Sequence, residues 1–324
     1  FGETEYWAAM IKVAAIVAFL AIGSFFLVKR DIEAGALTGP QLIADNGGML
    51  PHGWVAAIIV LPGVVFAYAA LEMVSIAAGE TEEPRKIVPK ATNAVVWRIG
   101  VFYVGSIALL ALLMPWSAYS ANESPFVTFM NSVGIPGAGG IMNFVVLAAA
   151  LSSVNSGLYA TGRILRSMAV AGSAPGFTGV MNKRQVPAGA VALTVSCYLI
   201  GIVLNYLAPS NAFNIILNFT ALGILATWAF VILAHLGYLR GVRAGSVQRA
   251  SFRLPFAPYS NYVTLVFLLF VYGLLWFDGV PGKATVLAVI PLGLLLWGGW
   301  YLVRGKVART AAEYAPANND AASQ

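Results

Sequence analysis

Charge is scarce in this sequence. Of its 324 residues, 10% are charged and 59% are hydrophobic, whereas a soluble domain carries roughly 25% charged residues. A chain so poor in charge cannot cover itself in water, and a mean hydropathy of +0.80 agrees. A soluble enzyme and a disordered chain are both excluded. Cysteine is nearly absent too. The single Cys197 has no intrachain partner, so a disulfide scaffold is ruled out and redox compartment cannot be read. No GxSxG elbow, P-loop, HExxH or metal-ligand cluster is present, so catalysis has nothing to work with and no cofactor or metal is expected. The chain begins at Phe1 rather than Met, and nothing resembles a cleavable signal peptide. It reads as a piece of a longer protein.

Long apolar runs are abundant. A helix needs about 20 mostly apolar residues to cross a bilayer, and eight stretches qualify: 5–28, 54–78, 95–115, 139–168, 187–207, 211–236, 260–277 and 283–303. The runs lack the two-residue alternation of a membrane barrel, which makes the expected fold class an all-α integral membrane protein. Residues 1–309 form one transmembrane domain in this reading. The Ala- and Asn-rich tail, 310–324, is expected to be disordered and cytoplasmic. Lysine and arginine set the orientation. Fifteen of them, among them Arg85, Lys86, Lys183, Arg240, Arg249 and Arg304, fall on one set of loops and span ends, against Lys29, Arg30 and Lys283 on the other. That bias places the larger set in the cytoplasm and the 29–53 and 116–138 loops outside. It also accounts for the net charge of +6 without nucleic-acid binding, because the basic residues are dispersed and not interleaved with aromatics.

Polar groups inside the spans are the candidate functional residues. Of the thirteen acids, Glu72 alone lies well inside an apolar run; the others, Glu5 included, are assigned to loops, tails or span ends. A carboxylate at that depth costs at least a few kcal/mol, so it faces a cavity or a partner and usually serves function; the alternative is a protonated Glu bonded between helices. Pro62-Gly63 interrupts the same span upstream of Phe66-Ala67-Tyr68-Ala69-Ala70. Broken helices at the bilayer midplane expose backbone groups to substrates in many transporters, although membrane helices also tolerate plain proline kinks. Lys12 lies about 10 Å into the first span. It either snorkels to the interface or is a buried amine that takes up and releases a proton. Ser152, Ser156, Tyr159 and Arg163 share one helical face, flanked by Ser153 and Asn155; hydroxyls in such places also glue helices together. His235 sits at a span end and reads as interfacial.

Three of these segments resemble those of a known family. FAYAALEMVSIAAGETEEPRKIVPK at 66–90 resembles the sixth-helix signature of the amino-acid permeases of the APC superfamily. FGETEYWAAMIKVAAIVAF at the start resembles the fifth helix of the bacterial group, and LSSVNSGLYATGRILRSMA at 151–169 its eighth. Within the group, GVVFAYAALE, PWSAYSANESPFVTF and ALSSVNSGLYATGRILRSMA look closest to L-asparagine permeases. The resemblance implies a LeuT-like inverted-repeat fold, present in part as helices 5 to 12, with helices 1 to 4 lacking. It gives Phe66 an aromatic gate position, and the Phe66 and Ala69 carbonyls the task of accepting hydrogen bonds from a substrate's α-ammonium. Ala70 stands where glycine is common, and Glu72 at the acidic position past the break. Lys12 matches a lysine whose ammonium takes the place of a sodium ion, with Ser152 and Ser153 lining that position. These implied roles point to a proton-coupled importer of an amino acid such as asparagine, with the bilayer as its environment. The alternatives are a permease for another small neutral amino acid (D-alanine, D-serine or glycine), or a membrane scaffold that transports nothing. A channel would want a pore-loop motif, and none is seen.

Overall fold

Inside a bilayer no water meets the backbone, so an apolar chain must satisfy its N–H and C=O groups within helices. The computed structural model describes residues 2–29, 38–69, 71, 83–120, 123–207, 209–250 and 252–321, and no strand occurs among them. The helices are α1 (Gly2–Lys29), α2 (Pro40–Asp45), α3 (Gly53–Ile59), α4 (Leu61–Ala67), α5 (Pro84–Arg98), α6 (Gly105–Leu113), α7 (Pro125–Ser132), α8 (Ala138–Val170), α9 (Ala188–Leu207), α10 (Pro209–Arg243), α11 (Tyr259–Leu274) and α12 (Gly279–Ala321). A π-helical segment, Ile99–Val104, joins α5 to α6. Among the described residues seven helical stretches are long and apolar enough to cross a membrane: Glu5–Lys29, Lys86–Leu113, Ala138–Val170, Ala188–Leu207, Phe213–Arg243, Tyr259–Phe277 and Gly279–Glu313. The protein is an all-α, multi-pass membrane protein.

Two sequence expectations differ from this. The stretch expected to cross at 54–78 is two short helices, α3 and α4, and 72–78 lies outside the described residues. Helix α12 runs on to Ala321, so most of the segment expected to be disordered is helical. Ala311 and Ala312 belong to the strongest helix-forming residue type, which carries the preceding turns past Arg309.

The chain divides into two compact units, Phe1–Trp54 with Met73–Tyr159, and Val55–Glu72 with Ala160–Gln324. In the first, α1 lies against α6. Gly23 permits the approach: a Cβ there would meet Leu109 Cδ2 at 2.6 Å. Phe19, fully buried, packs edge-on against Phe126 and Phe129 at centroid distances of 4.8 and 5.5 Å. Leu109, Leu113, Val127 and Met142 complete this core. At the end of α6 the carbonyls find partners: Gly39 N–H donates to Leu112 O at 2.7 Å, and the Tyr119 hydroxyl donates at 2.8 Å to Leu110 O, which also accepts from Met114 N–H. Burial pushes the Tyr119 hydroxyl pKa up to about 12.

The second unit is built around Val65, Ile224, Leu225, Leu268, Val271 and Leu275, with Leu61, Ala69 and Trp228 against them. Helix α4 rests on α10 and α11. Two polar contacts tie this unit further: Asn218 Nδ2 donates to Asp278 Oδ2 at 2.8 Å, and the Thr194 hydroxyl donates to Thr161 Oγ1 at 3.0 Å.

Candidate functional site

The candidate residues that the structure describes fall in two places, one in each unit. In the first unit, Lys12 projects from α1 toward Ser152 on α8, and its Nζ donates to Ser152 Oγ at 2.7 Å. Ser152, only 6% exposed, donates its own proton to Glu5 Oε1 at 2.6 Å. The same carboxylate oxygen lies 3.6 Å from Lys12 Nζ. Asn155 Nδ2 reaches Glu5 Oε2 at 3.5 Å, and the Ser156 hydroxyl also bonds to Glu5. The result is a continuous chain of ammonium, hydroxyl and carboxylate joining two helices. Lys12 is also the one charged side chain lining a cavity of about 190 Å³, whose walls are otherwise apolar residues such as Ile16, Phe126, Met142 and Val146.

The local sequence explains the arrangement. Glu5 and Lys12 are seven residues apart, two helical turns, so both emerge on one face of α1. Ser152, Asn155 and Ser156 have the three- and four-residue spacing that stacks side chains on one face of α8. Such an assembly can hold a charge in an apolar setting, because every charged atom has a hydrogen-bonding partner. It can also relocate a proton, since one hydroxyl accepts from the ammonium and donates to the carboxylate.

Glu5 is the residue that sequence reasoning missed. It lies near the edge of an apolar run, and edge position alone assigned it to a span end. Its two-turn spacing from Lys12 is the signal that reveals it. Ser153, paired with Ser152 in the sequence expectation, is not part of the cluster. It is exposed, and its hydroxyl donates back to Ala149 O in its own helix at 2.9 Å. The physical reason is angular: adjacent residues on a helix point about 100° apart, so Ser152 and Ser153 cannot both face Lys12.

In the second unit the helix breaks at Val60, between α3 and α4, and ends again at Ala67. Pro62 falls in the first turn of α4, the one helical position where a missing N–H costs nothing. The break therefore precedes the proline instead of following it. After Ala67 the chain turns, with Tyr68 N–H donating to Val65 O and Ala69 N–H to Phe66 O, both at 3.0 Å. The Phe66 carbonyl thus already accepts one hydrogen bond and keeps a second lone pair. The Phe66 side chain is exposed, and Ala69 packs on the core. Ala70 and Glu72 lie outside the described residues. Among the described residues no group of His, Cys, Asp and Glu is arranged to hold a metal ion.

Residues 1–310 match the family model for amino acid permeases. The chain belongs to the amino acid permease family. It is 53% identical over 317 residues to an L-asparagine permease of Streptomyces coelicolor, covering 98% of this chain and 65% of that relative. It is 52% identical over 308 residues to an L-asparagine permease of Escherichia coli, covering 95% of this chain and 62% of the relative. An L-asparagine permease 1 of Mycobacterium tuberculosis is 52% identical over 313 residues, with 97% and 64% covered. This permease-family chain therefore spans under two thirds of the length of these relatives, and they are permeases by name, not enzymes. Both places fall within the part shared with the family model.

Proposed function

We propose that the full-length permease imports an amino acid, with L-asparagine the first candidate, by alternating access coupled to protons. The observation that carries the coupling is the 2.7 Å hydrogen bond from Lys12 Nζ to Ser152 Oγ, continued to Glu5. A tethered ammonium bridging two helices can do what a bound cation does elsewhere: hold the helices together in one state and release them in another. Taking a proton from the cluster removes a donor or a charge from the bridge, so the two helices part. Adding one back restores it. The asparagine assignment is supported by the names of the similar proteins, and the carbonyl end of α4 supplies fixed dipoles suited to a substrate's ammonium. Glu72 and Ala70 keep the substrate-side roles that the family resemblance implies, and Glu72 remains a second carboxylate for coupling.

The test is accumulation of labelled asparagine in proteoliposomes under an imposed pH gradient. Lys12→Ala and Lys12→Arg should both lose uphill accumulation while retaining some exchange, since guanidinium keeps its proton at any working pH. Accumulation by Lys12→Arg equal to wild type would remove Lys12 from the coupling step. This reading also puts the larger basic set, and the C-terminus, in the cytoplasm. In intact cells an impermeant thiol reagent should label a cysteine placed at Ser120 and spare one placed at Lys183; the reverse pattern would invert the topology.

A further inference from the structure

The end of α10 and the loop that follows carry Arg240, Arg243, Arg249 and Arg253, and no acid lies in sequence between Glu123 and Asp278. Among the described residues none of the four arginines is in an ion pair. Arg249 and Arg253 line one pocket, a pair of like charges suited to an anion from outside the chain. The loop that presents it is tied back onto the helix. The Tyr238 hydroxyl accepts from Ala250 N–H at 2.7 Å and donates to Gln248 O at 3.2 Å. Tyr238 also stacks on His235, whose ring nitrogen pairs with the amide of buried Asn261 at 2.8 Å. Arg253 Nε donates to Ala250 O at 3.3 Å, which leaves its two terminal nitrogens as further donors. With Tyr238 and His235, Arg249 and Arg253 line this pocket of about 20 Å³.

That volume holds roughly one water-sized atom group, such as a single phosphoryl oxygen, and is too small to enclose a soluble metabolite. The surroundings favour an anion anchored by something apolar. Phe252 and Phe256, on either side of Arg253, are 51% and 87% exposed. Aromatic rings are at home at the boundary between headgroups and acyl chains, and guanidinium matches phosphate with paired hydrogen bonds. Basic clusters next to a transmembrane helix attract anionic lipid. We propose that this loop is a binding site for an anionic phospholipid of the leaflet it faces: Arg249 and Arg253 take the headgroup phosphate, and Phe252 and Phe256 enter the acyl boundary.

The experiment uses the purified full-length permease in neutral detergent, titrated with phosphatidylglycerol or phosphatidylcholine and read by native mass spectrometry and by thermal shift. Phosphatidylglycerol should bind at least about tenfold tighter than phosphatidylcholine. Arg249→Gln/Arg253→Gln should lose about thirtyfold in that affinity and Arg249→Gln alone about fivefold, as expected for one surface arginine each. Arg249 makes no hydrogen bond through its side chain among the described residues, so the single variant decides the matter if the double variant fails to fold. Arg304→Gln/Arg309→Gln, on α12, should stay within about threefold of wild type. Equal binding of the two lipids, full affinity in the folded variants, or an equal loss in the α12 control would each overturn the proposal. So would displacement of phosphatidylglycerol by millimolar inorganic phosphate, which would mark a site for free anions.

Discussion

In the first unit the polar cluster is assembled from side chains on two helices, and Lys12 and Ser152 stand 140 residues apart in sequence. In the second unit the turn after α4 is made from consecutive backbone, Val65 to Ala69, with no charged side chain involved. The two devices differ in what they can do. Backbone dipoles are fixed and cannot titrate, so a turn of this kind offers an ammonium the same reception at every pH. An ammonium, a hydroxyl and a carboxylate in hydrogen-bonding contact can change charge, and a change of charge is what a coupling ion requires. On the proposed function, substrate reception falls to the backbone and coupling to the side chains, a division that can be broken by exchanging the effects.

The largest effects should come from the side-chain cluster. Ser152→Ala removes the atom that both accepts from Lys12 and donates to Glu5. Hydrogen bonds to charged groups are worth about 1.5–3 kcal/mol each, so initial rates of labelled asparagine uptake, normalised to protein in the membrane, should fall about thirtyfold or more. Glu5→Gln preserves shape and removes charge; a fall of about tenfold is expected, since Ser152 still has an acceptor. Ser153→Ala should stay within about twofold, because its hydroxyl serves only the Ala149 carbonyl of its own helix. Equal losses in the two serine variants would mean that the contact seen between Lys12 and Ser152 does not bear on transport.

Much of this is legible in the sequence, and the rest is not for physical reasons. Seven of the eight apolar runs appear as long helices because length and hydropathy decide membrane crossing almost alone. Lys12 and Ser152 stood out as polar groups in apolar helices, but their contact depends on how α1 and α8 pack, which no local pattern encodes. Glu5 was hidden by its place at the edge of a run, where a carboxylate seems free to reach water. Ser153 is paired with Ser152 by the family resemblance, and a helix sends such adjacent residues to different faces. The break in the second run was expected at Pro62-Gly63 and falls at Val60, because proline begins a helix more readily than it ends one.

Effects smaller than that of Ser152→Ala belong to that break, and they sharpen the comparison most. Pro62 has no N–H to offer the Ile58 carbonyl four residues back, and its ring crowds that carbonyl. Pro62→Ala restores the donor, so α3 and α4 gain one hydrogen bond toward becoming a single helix. The carbonyl end of α4 at Phe66 lies beyond this repair, because Tyr68 and Ala69 fold back on Val65 and Phe66 irrespective of Pro62. Substrate reception should therefore change by less than the worth of one neutral hydrogen bond, a rise in KM of about threefold with kcat nearly kept. Phe66→Ala removes the exposed ring and leaves the carbonyl, so it should raise KM more, about tenfold, again without altering the dependence of uptake on the pH gradient. The measurement is KM and kcat for asparagine in proteoliposomes at two imposed gradients. If either variant weakens the gradient dependence as much as Ser152→Ala does, the backbone turn takes part in coupling, and the division of labour between fixed dipoles and titratable side chains is wrong.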